Sequence, residues 1–190
     1  MVNFVACKKK VKNRGAAPEN FLMELVKWAK SAPDEVFIER PGHEIYAEVA
    51  EQLGPYPEQD LTHRKAVLLE VLRVLGGFES SWRWEEGRDV TNPASDKPCT
   101  MEAGIFQVSG DSMGFDSSLK TFVKEKIGTL DCEKFRAATK SDHLFAIEYC
   151  ARLLRFTIRH HGPIRDHHID EWLSKEAVGE FQAALLESPL

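Results

Sequence analysis

The chain predicts a mainly α fold of the α+β kind, and three observations carry that expectation. Apolar residues recur at three- and four-residue spacing in several separate runs. One of these runs is apolar nearly all round, and turn-forming residues concentrate in a single stretch that follows it. The expected architecture is a helical bundle around a central buried helix, with a small irregular or β-hairpin segment beside a cleft. At 190 residues the chain has the size of one ordinary domain. Its 43% hydrophobic and 29% charged residues supply a sizeable core and argue against wholesale disorder.

Residues 1–17 read as a flexible basic arm, because Lys8, Lys9, Lys10, Lys12 and Arg14 follow the short Met1–Cys7 segment. Residues 18–190 read as a single domain, with no internal repeat or long linker. Pro18 fits the first position of a helix in which Phe21, Leu22, Leu25, Val26 and Ala29 share a face until Pro33. After Pro41-Gly42, the residues Ile45, Tyr46, Val49, Ala50 and Leu53 repeat the pattern up to Gly54-Pro55. Thr62 to Glu79 carries Ala66, Val67, Leu68, Leu69, Val71, Leu72, Val74, Leu75 and Phe78, which marks the central helix. Gly76 and Gly77 interrupt it, each at a cost of roughly 1 kcal/mol relative to alanine. Close approach of another group, or the helix ending there, would offset that cost.

From Arg83 to Lys97 the periodicity is lost among Gly87, Asp89, Asn92, Pro93, Ser95 and Asp96, so any β-structure is expected there. Ile105, Phe106 and Val108 fit a short buried strand or a helical turn equally well. Leu119, Phe122, Val123 and Ile127 predict a short helix ahead of Gly128. Leu144, Ile147, Ala151, Leu154 and Ile158 predict a longer one that Gly162-Pro163 ends. A last helix over Ser174–Leu186 takes Ser174 as its cap.

A net charge of −5, from 25 basic and 30 acidic residues, has the wrong sign for a partner that tracks phosphates, so nucleic acid is not expected. No apolar run reaches the roughly 20 residues needed to cross a bilayer, so integral membrane association is not expected either. Charge placed after the apolar segment is the reverse of an export signal, which implies synthesis in the cytoplasm. Cys7, Cys99, Cys132 and Cys150 form no CxxC pair, and reduced core thiols are the expectation, with any disulfide pairing undetermined. The reading asks for no cofactor and no metal.

Glu79 is the residue that points to chemistry. It closes the central helix between Phe78 and, if helical geometry persists, Trp82 one turn on. Desolvation in such a place favours the protonated carboxyl, which can act as a general acid near neutral pH. A capping or salt-bridging glutamate is the structural alternative.

The wording around Glu79 sharpens this. Gly77-Phe78-Glu79-Ser80-Ser81-Trp82, followed by Gly104-Ile105-Phe106-Gln107-Val108, resembles the paired motifs of the lysozyme-like superfamily, as in goose-type lysozymes and soluble lytic transglycosylases. The longer run from Glu79 to Val108, with Glu86-Gly87-Arg88-Asp89-Val90-Thr91-Asn92-Pro93, is similar to the type VI secretion muramidase effectors. The resemblance covers roughly residues 68–112. It implies a glycoside hydrolase that cleaves the β-1,4 bond between N-acetylmuramic acid and N-acetylglucosamine. It also implies a toxin delivered to the periplasm of a target cell by specialised secretion, with an immunity protein that occludes the cleft. Lytic transglycosylation, and a non-catalytic saccharide- or protein-binding module on the same scaffold, stay open as alternatives.

Glycosidic cleavage needs a proton for the leaving oxygen and stabilisation of charge at the sugar carbon, hence two carboxyls in most such sites. Glu79 is the expected donor. Asp89 is the first choice of partner, since it lies beyond the helix end on a segment able to fold back; Asp96 is second. Gln107 and Ser109 offer hydrogen bonds to sugar or acetamido groups, and Trp84 offers a stacking face. Tyr149, Arg155, Arg159, His160 and His161 either line a saccharide cleft or form a solvated helix face. A metal or thiol site built from His160, His161, His167, His168 and Asp170, or from Cys150 with a histidine, is the remaining alternative.

Overall fold

A helix that is apolar on every side has to be surrounded, and α4 (Leu61–Ser80) is. The computed structural model describes residues 3–38, 44–54, 60–88 and 90–187. The other long helices are α1 (Glu19–Ser31), α5 (Ser117–Ile127), α6 (Cys132–Ser141), α7 (His143–Leu154) and α9 (Lys175–Leu186), with α5 and α6 packed on α7. Three one-turn helices complete the set: α2 (Ile45–Glu48), α3 (Ala50–Leu53) and α8 (Gly162–Arg165). α4 packs lengthwise on α9 and touches α1, α7 and α8. Asp60 caps its start by accepting from His63 N–H at 2.9 Å. The fold is mainly helical, and the described residues hold no sheet.

α4 carries two glutamates: Glu70 is buried and fully bonded, while Glu79 is only half-buried. The Arg73 guanidinium forks onto the Glu70 carboxylate with two bonds of 2.7 Å. Glu70 also accepts from Ser174 N–H at 2.8 Å, and Arg73 donates to the Trp172 carbonyl at 3.1 Å. The pair thereby fixes the start of α9 against the middle of α4. Ser174 caps α9 as expected, its hydroxyl accepting from Ala177 N–H.

The end of α4 explains the glycine pair. Ser81 and Trp82 both adopt left-handed backbone, with φ of 55° and 59°, and Trp82 N–H returns to the Gly76 carbonyl at 3.0 Å. This reversal folds the Trp82 indole back onto the helix it has just left, where its Nε1 donates to the Arg73 carbonyl at 2.8 Å. A Cβ on Gly77 would stand 2.7 Å from Trp82 Cζ2. The indole therefore needs glycine beneath it. Trp82 does not sit one helical turn beyond Phe78; the helix ends first.

Several expectations are corrected here. Residues 3–17, expected to belong to a flexible arm over 1–17, are docked: Phe4, Ala6, Cys7, Val11 and Ala17 are buried, and the Glu180 carboxylate accepts from the N–H groups of Val5, Ala6 and Cys7 at 3.0, 2.7 and 2.9 Å. A basic run predicts solvation only when nothing captures its backbone, and the long-range partner at Glu180 has no local signature. Pro18 caps α1 from outside the helix. The Ile45–Leu53 run divides at Val49 into α2 and α3. α7 stops at Leu154, short of Ile158, and Gly162-Pro163 opens α8 rather than closing α7. α6 went unpredicted because only Phe135 and Thr139 face inward, too little for a periodic stripe. Pro41-Gly42 and Pro55 lie outside the described residues.

The stretch expected to hold β-structure is irregular. Ala103 and Val108 pair as an isolated antiparallel bridge, closing a tight turn with Gly104 at φ 74° and Gln107 at φ 46°. A Cβ on Gly104 would meet the Thr139 carbonyl at 2.5 Å, so the turn lies flush against α6. A disulfide between Cys99 and Cys132 ties the same segment to the start of α6. Reduced thiols were expected at all four cysteines; only Cys7 and Cys150 are free, and both are buried.

Two outcomes follow from this packing. Gly77→Ala should lower stability by about 1–3 kcal/mol despite alanine's helix propensity, since the anchored indole cannot yield; an unchanged thermal midpoint would show that Trp82 moves freely. Reducing the disulfide should cost about 2–4 kcal/mol, measured as a lower urea midpoint in reductant.

Candidate active site

Glu79 sits on the last turn of α4, on the side that the Trp82 reversal leaves open. Its neighbour Ser80 donates to the Ile105 carbonyl at 2.9 Å, which locks the helix end to the 103–108 turn. That contact sets Glu79 and Gln107 on one cleft of about 580 Å³, whose walls also carry Arg14, Arg83, Arg88, Glu102 and His160. Arg83 pairs with Glu86 on the same wall. A second hollow of about 460 Å³ shares Asn92, Glu102 and His160 with the first and adds Ser109, Asp111 and Arg159. The two together form an extended groove with Glu79 in one half.

The Glu79 side chain is 17% exposed, enough to reach the cleft and little enough to be desolvated. Its Oε1 lies 3.1 Å from His161 Nδ1. Burial pushes the Glu79 carboxyl from an ordinary 4.5 up to about 8, and the Arg14 charge offsets only part of that rise. Burial equally pushes His161 from 6.5 down to about 3. Both partners are therefore neutral around pH 7, which makes this a hydrogen bond between an acid and an imidazole rather than an ion pair. His160, beside it, is also held down to about 3, by burial and then by His161.

The other expected site residues divide. Gln107 lines the cleft, its side-chain amide donating to the Gly104 carbonyl at 2.9 Å. Ser109 lines the neighbouring hollow, bonded to Asp111 at 2.5 Å. Trp84 is turned away: it stacks on His143 at 3.8 Å between ring centroids and meets Phe21 edge-on, so it offers no face to the cleft. Asp96 is exposed on the irregular segment and lines neither hollow. Tyr149 is wholly buried, with its hydroxyl 2.6 Å from Ser112, and cannot touch a substrate in the cleft. Asp89 lies outside the described residues.

Arg155 is likewise structural, buried against Glu44. Of the two readings open for Arg159, His160 and His161, the structure matches the one that lines a cleft; His161 lies off the long helix, at the start of α8, where the Gly162-Pro163 step presents it to Glu79. Arg14 reaches the cleft only because the N-terminal segment is docked, and no local pattern signals that. Among the described residues, no cluster of three or more His, Cys, Asp or Glu side chains is placed to hold a metal ion.

Chemically, the arrangement offers a carboxylic acid that keeps its proton in neutral solution, opening on a polar groove with both signs of charge. Because the folded state holds the Glu79 proton, its stabilising effect is full below about pH 4.5 and is lost as pH rises through about 8. His161 works the other way, its contribution full above 6.5 and lost as pH falls towards 3. Glu79→Gln should therefore flatten the alkaline slope and leave the variant more stable than wild type at pH 8, by on the order of a few kcal/mol. Denaturant titrations at pH 5 and pH 8 check this, and parallel slopes for both proteins would contradict it. Comparison of the chain with protein families, with curated proteins and with solved structures finds no match.

Proposed function

We propose that the chain is a peptidoglycan glycoside hydrolase, a muramidase of the lysozyme-like kind, in which Glu79 protonates the leaving oxygen. The observation that carries the reading is the half-buried Glu79 carboxyl at the wall of an extended polar groove, where burial favours its protonated form. A general acid for glycosidic cleavage must hold its proton at working pH and still reach solvent, and burial with 17% exposure meets both demands.

The groove supplies the other requirements. Gln107 and Asn92 offer paired donors and acceptors for acetamido and hydroxyl groups. Arg14, Arg83 and Arg88 give the cleft local positive charge, suited to the lactyl and stem-peptide carboxylates of a wall strand although the chain as a whole is acidic. Glu102 lines both hollows and takes the place of Asp96 as the described carboxylate able to hold water across the bond from Glu79. The resemblance to secreted muramidase toxins extends the proposal to delivery into a target periplasm and to an immunity protein that fills the groove.

Digestion of purified sacculi tests this. Wild type should release muropeptides with reducing ends, and Glu79→Gln should lose at least roughly a hundredfold in rate while folding normally. Turnover by the folded variant would remove Glu79 from the mechanism. Anhydro-muramyl ends would make the enzyme a lytic transglycosylase, and strand binding without release by wild type would make it a binding module.

A further inference from the structure

At Glu79 begins a line of three groups, of which Glu79 and His161 border the cleft and Cys150 lies behind them. His161 Nδ1 is 3.1 Å from Glu79 Oε1, and His161 Nε2 is 3.8 Å from the Cys150 thiol. Cys150 lies on α7 and is 0% exposed; His161 is 1% exposed. A sulfur so enclosed meets no substrate, so the line is not a thiol nucleophile with its base. Burial holds the thiol in its S–H form, and a neutral imidazole has one N–H and one bare nitrogen to share between its two neighbours.

Resting on the reading of Glu79 as proton donor, we propose that Cys150 and His161 are positioning residues that decide which oxygen of Glu79 carries the proton. The Cys150 S–H donates to His161 Nε2, which places the imidazole proton on Nδ1. Nδ1–H then donates to Glu79 Oε1, which must be the carbonyl oxygen of the acid, and the acid proton resides on Oε2. In the opposite tautomer, Glu79 would spend its proton on Nδ1 and have none to offer the cleft.

The same arrangement serves the reaction. The Oε2–H bond breaks as a new O–H bond forms on the glycosidic oxygen, which leaves with the electron pair of its bond to the sugar carbon. Water held by Glu102 then adds hydroxide to that carbon and gives its remaining proton to the Glu102 carboxylate; solvent takes that proton from Glu102 and returns one to Glu79. Between these events the Glu79 carboxylate is held by Nδ1–H, a bond that strengthens as the charge develops. The other charged or titratable groups facing Glu79 are Arg14 from the N-terminal segment, Arg83, Glu86, Arg88 and Glu102 from the irregular wall, and His160; a change at Cys150 alters none of them.

Nitrogen-15 NMR of histidine-labelled full-length protein reads the tautomer without reference to activity. Wild type should show His161 neutral and protonated at Nδ1 throughout about pH 5 to 8. Cys150→Ala should move the proton towards Nε2 and lower kcat on sacculi at least roughly tenfold with KM unchanged, while Cys150→Ser, which keeps a donor hydrogen, should retain both wild-type properties. An Nε2-protonated His161 in wild type, or a Cys150→Ala protein with unchanged tautomer and kcat, would overturn the proposal. Those results leave the Glu79 reading standing, since that reading falls only if Glu79→Gln still turns over.

Discussion

The contact between the Trp82 indole and the bare backbone of Gly76 and Gly77 governs the rest of the site. A twenty-residue helix surrounded by apolar neighbours has no reason of its own to stop at Ser80. It stops because two successive left-handed residues carry the chain back, and the indole finds a surface with no Cβ in its way and the Arg73 carbonyl as partner. Glu79 is exposed to the groove by that reversal, and Ser80 transmits the position to the 103–108 turn. The two glycines give up helix propensity for this closeness, and the seated indole offsets the loss.

One helix thus carries two glutamates with opposite fates, and environment alone separates them. Glu70 meets a guanidinium in fork geometry and a backbone N–H, so its charge is answered on every side. Glu79, nine residues further along, meets a neutral imidazole and is largely taken out of water, with the Arg14 charge offsetting only part of that burial, so its charge is answered weakly and its proton is favoured. The first is an anchor for α9. The second is the group on which the proposed chemistry rests, and a carboxyl kept at a cost to stability is the pattern expected of a functional site.

Much of the frame was legible in the sequence because it rests on periodicity. The all-round apolar run announced α4, the Phe21–Ala29 stripe announced α1, and Ser174 marked the start of α9. Glu79 was legible too, from its place at the end of the one helix with no polar face. What escaped were pairings between distant segments. Nothing near Val5 names Glu180, and nothing near His161 names Glu79, so a docked segment read as a loose arm and the cleft-lining His161 stood undivided from a solvated helix face. Trp84 and Tyr149 misled for the complementary reason: an aromatic ring suits a sugar and a core equally, and only three-dimensional packing tells which it has found.

The capture of residues 5–7 by Glu180 has a bearing on how the molecule comes to exist. It joins positions 175 apart in the chain, so the loop it closes spans nearly everything that is described. Such a contact carries the entropy of a long closure and forms late. On the ribosome the N-terminal segment must wait, apolar side chains uncovered, until α9 has been made. Arg14 joins the groove only when that wait ends, so the electrostatic surroundings of Glu79 are completed by the last part of the fold to assemble.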